Sequence, residues 1–145
     1  MNRRPSPILE RGVVAVAGAL IVFSLYLLLA GHNLPGGGFA GGLTGGVVVV
    51  LAWSAGGPAT VRRIIPVRAS ALMGAGLVLA AVTGFVPMFA GLGFLESGYL
   101  EVRVPLVGEV KAVSALAFDV GVYLTVVGMS LGLVRALGEE GEEEL

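Results

Sequence analysis

Residues 31–42 read GHNLPGGGFAGG, and this stretch decides the fold because it separates two long apolar runs. It contains the only histidine of the chain, His32, and a proline that is followed by three glycines, Gly36, Gly37 and Gly38. Consecutive glycines reach backbone conformations closed to other residues and let a neighbouring segment approach closely, at an entropic cost that a plain connector does not require. We therefore expect this segment, the glycine loop (residues 31–42), to be a specific structure at a membrane surface.

Composition places the chain among integral membrane proteins. Of its 145 residues, 56% are hydrophobic and 13% are charged, and the mean hydropathy is +0.94. Soluble domains carry about 25% charged residues, so this chain lacks the polar surface that a water-soluble globule needs. It contains no cysteine, which excludes disulfides, cysteine-ligated clusters and thiol nucleophiles. The net charge of −1 does not support nucleic-acid binding.

Four segments are long and apolar enough to cross a bilayer as helices, which takes about 20 residues. They are residues 8–30, 39–55, 69–91 and 112–134. We predict an all-α membrane protein in which residues 1–138 form one four-helix transmembrane domain and residues 139–145 form a solvated acidic tail. The apolar core of the first span exceeds the roughly 7–15 residues of a signal peptide, so we expect this span to be retained.

The cationic residues predict the orientation of the chain, because Lys and Arg near span ends stay in the cytoplasm. We therefore expect both termini on the cytoplasmic side of the cell membrane. Arg103 and Lys111 fall on the opposite, external side. The arginines on the predicted cytoplasmic side are Arg3, Arg4, Arg11, Arg62, Arg63, Arg68 and Arg135.

The external connection between the third and fourth spans, residues 92–111, differs from the other loops. Polar and apolar residues alternate in YLEVRVP, residues 99–105, which is typical of a strand with one wet face. We predict a short edge strand or hairpin in this loop. Pro105 and Gly108 limit its length.

Asp119 is the leading functional candidate, because it is the only acidic residue in the interior of a predicted span; Glu10 lies at the start of the first span, before its uncharged stretch from Gly12 onward. A carboxylate in hydrocarbon costs on the order of 2.5–3.5 kcal/mol, so this side chain is expected to face protein or water. Tyr123 and Ser130 follow at helical spacing and lie near the same face. Two interpretations stay open: Asp119 belongs to a proton or cation pathway, or its hydrogen bonds fix the packing of helices.

His32 and Asn33 are the second candidate pair. An imidazole titrates near neutral pH and, beside Asn33, would suit a polar entrance; alternatively, both side chains cap a helix end and hold the loop. One histidine does not make a metal site, and no Gly-Lys-Ser/Thr follows the three glycines as in phosphate-binding loops. With no serine–histidine–acid set either, we expect neither an enzyme nor a bound cofactor.

Two glycine pairs have the small-xxx-small spacing that lets membrane helices approach closely. These are Gly42 with Gly46, and Gly128 with Gly132. Because the chain is small, we expect many of the helices that such faces contact to belong to other subunits.

Two motifs identify a family. GHNLPGGGFAGGL after the first span and FDVGVYLTVVG in the last span together resemble the B subunit of the multisubunit Mrp-type sodium/proton antiporters, the MnhB family. The resemblance covers nearly the whole chain. It implies a small subunit that works with other membrane subunits in a hetero-oligomeric complex exchanging Na⁺ for H⁺.

Other settings for the chain stay open at this point. Modules similar to this family occur in the large subunit of the antiporters, and also in membrane-bound hydrogenases and respiratory complexes similar to complex I. The alternative is therefore a structural adaptor or a sodium-translocating-module subunit of such a complex. A small self-assembling exporter is a third possibility.

The resemblance also assigns residues to the two motifs, with roles in assembly or ion passage rather than catalysis. We take Asp119, His32, Asn33 and Tyr123 as candidates for the ion pathway. The residues assigned to the structural motif are Pro35, Gly36, Gly37, Gly38, Phe39, Gly42, Phe118 and Gly121.

Overall fold

The computed structural model describes residues 7–31, 36–89, 102–104, 108–110 and 113–143. In these ranges the chain forms four helices and two short strands. In chain order they are α1 (Pro7–Ala30), α2 (Gly38–Ile64), α3 (Ala69–Phe89), β1 (Val102–Val104), β2 (Gly108–Val110) and α4 (Val113–Glu143). The predicted spans begin within one residue of the observed helices.

Three stretches among the described residues are long and apolar enough to cross a membrane: Gly38–Gly57, Ala69–Val86 and Ala115–Gly138. A shorter apolar stretch, Ala15–Ala30, lies in α1, which is 24 residues long in total. The prediction of a helical, multi-pass membrane protein is therefore confirmed.

Helix α2 has a kink at Gly57, whose backbone angles are φ 68° and ψ −168°. The following residue, Pro58, cannot donate a backbone hydrogen bond, so helix hydrogen bonding is interrupted at this point. The membrane-length part of α2 ends here, and a short helical segment continues to Ile64. This is why α2 extends beyond the predicted end of the second span.

The helices contact one another in the order α1–α2–α4–α3, so α4 lies between α2 and α3 although it follows α3 in the chain. The buried aliphatic cluster forms where α2 and α4 meet. It consists of Val49, Ala52, Val61, Leu131 and Val134. Within a membrane such a cluster is stabilised by close packing rather than by escape from water.

The two strands lie between α3 and α4 and pair antiparallel, with Arg103 opposite Glu109. β1 falls inside the segment 99–105, whose alternating pattern predicts a strand. At the other end of α4, the acidic segment that begins at residue 139 is helical as far as Glu143.

Both predicted glycine pairs contact helices of this chain. Gly42 and Gly46 lie against α4, whereas Gly128 and Gly132 lie against α3. The expectation that such faces meet helices of other subunits is therefore corrected for these four residues. The reason is the central position of α4, which brings both glycine pairs into contacts within the chain.

Candidate ion site at the start of α2

The glycine loop enters α2 through Gly37, the residue that precedes the helix. Its backbone angles are φ 92° and ψ −177°, a combination open essentially only to glycine. Its N–H donates to the carbonyl of Leu27 at 2.9 Å. Leu27 is in the last turn of α1, where carbonyls have no partner within the helix. Gly37 therefore joins the end of α1 to the start of α2.

Asp119 of α4 lies directly against this helix start. A Cβ placed on Gly37 would be 3.4 Å from Oδ1 and 3.6 Å from Oδ2 of Asp119. A Cβ placed on Gly38 would overlap the backbone carbonyl oxygen of Asp119 and would lie 2.9 Å from its Cα. The glycine loop and the last-span motif, which are far apart in the sequence, thus form one site.

The start of α2 also provides an electrostatic partner for the carboxylate. The first N–H groups of a helix have no acceptor within it. Here Gly37 at the N-cap has no side chain to cap them, and the first turn contains no acidic residue. The partial positive charge of a helix N-terminus stabilises a nearby anion by about 0.3–1 kcal/mol at exposed sites. Among the described residues no cationic side chain pairs with Asp119, and this helix end is the positive group that lies against it there.

Glycines of α2, together with Gly37 directly before it, form two rows with a spacing of four residues, and the two rows face different neighbours. In the first row, a Cβ on Gly42 would lie 2.8 Å from Cβ of Val126 on α4. In the second, a Cβ on Gly41 would lie 2.8 Å from the backbone oxygen of Ser24 on α1. The rows are Gly38, Gly42 and Gly46, facing α4, and Gly37, Gly41 and Gly45, facing the groove between α1 and α4.

One helical turn deeper, three helices meet in a hydrogen-bonded cluster. Ser24 of α1 is fully buried, and its Oγ donates to the carbonyl of Gly41 at 2.8 Å. The hydroxyl of Tyr123 on α4 lies 3.0 Å from the same Oγ. Because the single hydroxyl hydrogen of Ser24 is used on the carbonyl, Tyr123 is the donor in the second bond. We name these residues, Ser24, Gly41 and Tyr123, the hydroxyl cluster.

Sequence reasoning identified Tyr123 but missed Ser24. A single serine in an apolar helix matches no motif, and its hydroxyl can bond within its own helix. Ser130 does this, donating to the carbonyl of Val126 at 3.0 Å. The one signal that distinguishes Ser24 is that α2 carries Gly41 and Gly45 opposite it, which only the helix contacts reveal.

The opposite end of the α2–α4 interface is held by an arginine. Nη2 of Arg135 donates to the carbonyl of Ile65 at 2.9 Å, which ties α4 to the end of α2. Nε of the same side chain is buried without a hydrogen-bond partner among the described residues. The part of the chain that the structure describes contains no group of three His, Asp or Glu residues suited to a metal.

Residues 8–132 match the family described as "Domain related to MnhB subunit of Na+/H+ antiporter". The chain belongs to the MnhB family. The B subunit of the Na(+)/H(+) antiporter of Bacillus subtilis (strain 168) is 40% identical over 133 residues, which cover 92% of this chain and 93% of that protein. The protein of the same name from Alkalihalophilus pseudofirmus is 34% identical over 121 residues, covering 83% and 84% of the two chains.

This MnhB-family chain also matches parts of much longer chains. A solved structure, "Structure of Mrp complex from Dietzia sp. DQ12-45-1b", is similar with a TM-score of 0.74 and 32% identity, over 90% of this chain but 14% of that one. The A/B subunit of a probable K(+)/H(+) antiporter of Rhizobium meliloti (strain 1021) is 34% identical over 92% of this chain and 13% of its own length. Chains similar to this one therefore occur both at its own length and as modules of longer proteins.

The MnhB motif residues have different positions in the structure. His32, Asn33 and Pro35 lie outside the described residues. Phe39 is 60% exposed, on the side of α2 away from the glycine rows. Phe118 is half-buried.

The remaining motif glycines pack against backbone. A Cβ on Gly36 would lie 2.7 Å from the carbonyl oxygen of Leu27, close to the junction of α1 and α2. A Cβ on Gly121 would lie 2.6 Å from the backbone nitrogen of Ala80 on α3. The structure thus brings Gly36, Gly37, Gly38 and Asp119 to one site and assigns Gly121 to a different interface.

Proposed function

We propose that this chain is a small membrane subunit of a hetero-oligomeric antiporter complex that exchanges Na⁺ for H⁺, and that Asp119 contributes to the ion pathway. The observation that carries the proposal is the contact between the Asp119 carboxylate and the uncapped start of α2. The relatives named as B subunits of Na(+)/H(+) antiporters support the same conclusion. The partners are the other membrane subunits of the complex, and none of these relatives favours a hydrogenase setting.

The mechanism follows from the charge balance at Asp119. A carboxylate in hydrocarbon is costly without a partner, so Asp119 is placed to stabilise a partly dehydrated cation or a proton on its way through the membrane. The positive end of α2 contributes to the stabilisation of the carboxylate. Gly37 and Gly38 allow this approach because they place no side chain between α2 and Asp119.

The proposal includes an orientation. All four helices cross the membrane, both termini lie in the cytoplasm, and the β1–β2 hairpin lies outside. The bond from Arg135 to Ile65 supports this, because it brings Arg135 to the same end as Arg62 and Arg68, and cationic residues favour the cytoplasmic side. Asp119 then lies nearer the external surface. His32 and Asn33, which lie outside the described residues, stay candidates for the ion pathway on their sequence motif alone.

Neutralising Asp119 tests the function directly. In the intact complex, Asp119→Asn keeps the shape of the side chain and removes its charge. We expect Na⁺-driven proton movement in everted vesicles to fall at least about tenfold, which corresponds to about 1.4 kcal/mol. Ser130→Ala on the same helix is the control and should transport normally. Wild-type transport by a fully assembled Asp119→Asn complex would contradict a charge-dependent role.

Gly37→Ala tests the loop. Its φ is unfavourable for any residue with a Cβ, and holding alanine there costs about 1–3 kcal/mol. We expect less assembled complex or slower exchange. Gly18→Ala is the control, because a Cβ on Gly18 would meet nothing within 4 Å. An unaffected Gly37→Ala complex would indicate an ordinary connector.

A further inference from the structure

We infer that Ser24 is a positioning residue for Asp119, and that the hydroxyl cluster sets the distance between the start of α2 and the carboxylate. This inference rests on the proposed function of Asp119 and adds to it a residue that no motif identifies. It concerns how the site is held, since Ser24 does not itself touch the carboxylate in the described contacts.

The geometry that supports the inference is a pair of stacked layers. Helices α1 and α4 each contribute one residue to each layer, and the two contributions are about one helical turn apart, a rise of roughly 5.4 Å. Helix α2 contributes Gly41 to the deeper layer, and the N–H of Gly41 donates at 3.0 Å to the carbonyl of Gly37, the residue directly before α2 that belongs to the site layer. Because the helices are rigid over one turn, fixing the deeper layer also fixes the layer with the carboxylate. The site layer contains Leu27, Gly37 and Asp119, and the deeper layer contains Ser24, Gly41 and Tyr123.

Glycines of α2 provide the space in which the two hydroxyls meet. A Cβ on Gly45 would lie 3.1 Å from the Tyr123 hydroxyl and 3.2 Å from Oγ of Ser24. A Cβ on Gly41 would lie 3.3 Å from Cδ2 of the Tyr123 ring. The second glycine row thus lies close to this cluster, although less tightly than the first row lies against α4. Since lipid offers no water to replace a lost bond, the cluster has no competing partner there.

The same bonds argue against a proton wire through the cluster. The chain of bonds runs from Tyr123 to Ser24 and ends on the carbonyl of Gly41, and a backbone carbonyl has no proton to pass on. The next hydroxyl along this face of α4, Ser130, is bonded to its own helix. The cluster therefore holds three helices together, and its described bonds lead to no further hydroxyl.

The direction of the two bonds predicts unequal effects of removing each hydroxyl. Tyr123→Phe leaves Ser24 bonded to Gly41, so no polar group loses its only partner. Ser24→Ala leaves the Tyr123 hydroxyl without the acceptor that it has in the wild type. An unsatisfied buried donor costs more than a lost bond, whereas removing both partners is close to neutral. The double variant should therefore be less impaired than Ser24→Ala alone.

The experiment measures Na⁺/H⁺ exchange by the intact complex in membrane vesicles, with Na⁺ as the probe. We expect Ser24→Ala to raise the apparent KM for Na⁺ about 2- to 10-fold at an unchanged amount of assembled complex. Tyr123→Phe should raise the KM less than Ser24→Ala does. The KM of the double variant should be lower than that of Ser24→Ala alone. Ser130→Ala and Tyr26→Phe are matched controls, because the first hydroxyl bonds within its helix and Tyr26 is 53% exposed.

Three results would overturn the positioning role: less complex with an unchanged KM, additive effects in the double variant, or no effect of Ser24→Ala. The Asp119→Asn complex is measured beside these variants. If it transports normally, the proposed function fails and the positioning role fails with it. If it is impaired while Ser24→Ala and Tyr123→Phe act independently or not at all, only the positioning role is contradicted.

Discussion

The two faces of α4 use glycine in different ways. Towards α2 the glycines belong to the neighbouring helix, as Gly38 and Gly42 do, and α4 contributes larger side chains. Towards α3 most of the glycines belong to α4 itself, and α3 contributes Gly76 opposite them. There, a Cβ on Gly121 would lie 2.8 Å from the carbonyl oxygen of Gly76, and one on Gly128 would lie 2.7 Å from the backbone nitrogen of Met73.

The difference explains which face contains the site. Where the neighbour provides the glycines, side chains of α4 such as Asp119 and Tyr123 have room to contact another backbone. Where α4 provides them, two backbones meet, and the hydroxyl of Thr125 is bonded to its own helix at Gly121. The face of α4 towards α2 therefore positions functional side chains, whereas the face towards α3 packs α3 against α4. Three predictions test this distinction.

The largest effect is expected for Gly38→Ala. The added Cβ would overlap the backbone carbonyl oxygen of Asp119, and a backbone atom cannot rotate away as a side chain can. Overpacking of this kind costs about 1–3 kcal/mol or more, and we expect the upper end here. Assembled complex, measured in mild detergent, should be largely lost together with transport.

Gly74→Ala is the control for Gly38→Ala, because a Cβ on Gly74 would meet nothing within 4 Å. Its complex should assemble and transport normally. Wild-type amounts of the Gly38→Ala complex would show that α2 and α4 do not approach as closely as described.

A smaller effect of a different kind is expected for Gly121→Ala. The added Cβ would press on the backbone of α3, but α3 is at the edge of the helix layer and can move outward. We expect the thermal midpoint of the complex to fall, with a loss of about 1 kcal/mol, while the KM for Na⁺ of the assembled complex is unchanged. A changed KM would mean that the α3 face also shapes the site. Gly132→Ala, whose Cβ would be at an ordinary 3.6 Å from that of Ala69, should alter neither quantity.

The smallest effect is expected from a cross-link between α3 and α4. The Cβ separation of 3.6 Å at Ala69 and Gly132 lies within the range of disulfides, and the wild-type chain has no cysteine to interfere. In oxidised membranes, Ala69→Cys with Gly132→Cys should form an intramolecular bond, detected as linked fragments after cleavage between the two positions. Exchange should remain within about twofold of wild type, which corresponds to about 0.4 kcal/mol, because a disulfide that fits its preferred geometry adds little strain. Loss of exchange on oxidation, recovered on reduction, would show that α3 must move during transport.

The sequence by itself determined the membrane class and the approximate extents of the helices. These depend on local composition, since an apolar run long enough to span lipid must satisfy its own backbone as a helix. It also marked Asp119 and the glycine loop as candidates, because an acid in an apolar span and three consecutive glycines are both costly without a reason. The kink at Gly57 was not predicted, although Gly57 and Pro58 mark it in the sequence.

Only the tertiary structure decided that the glycine loop and Asp119 form one site, and that Ser24 completes the layer beneath them. The pairing of α4 with α2 is a property of two complementary surfaces, and surfaces distant in sequence leave no local periodicity that relates them. Four apolar helices can pack in several orders with similar hydropathy. Which order is realised depends on where small residues let backbones approach, and this chain places its glycines so that α4 lies between α2 and α3.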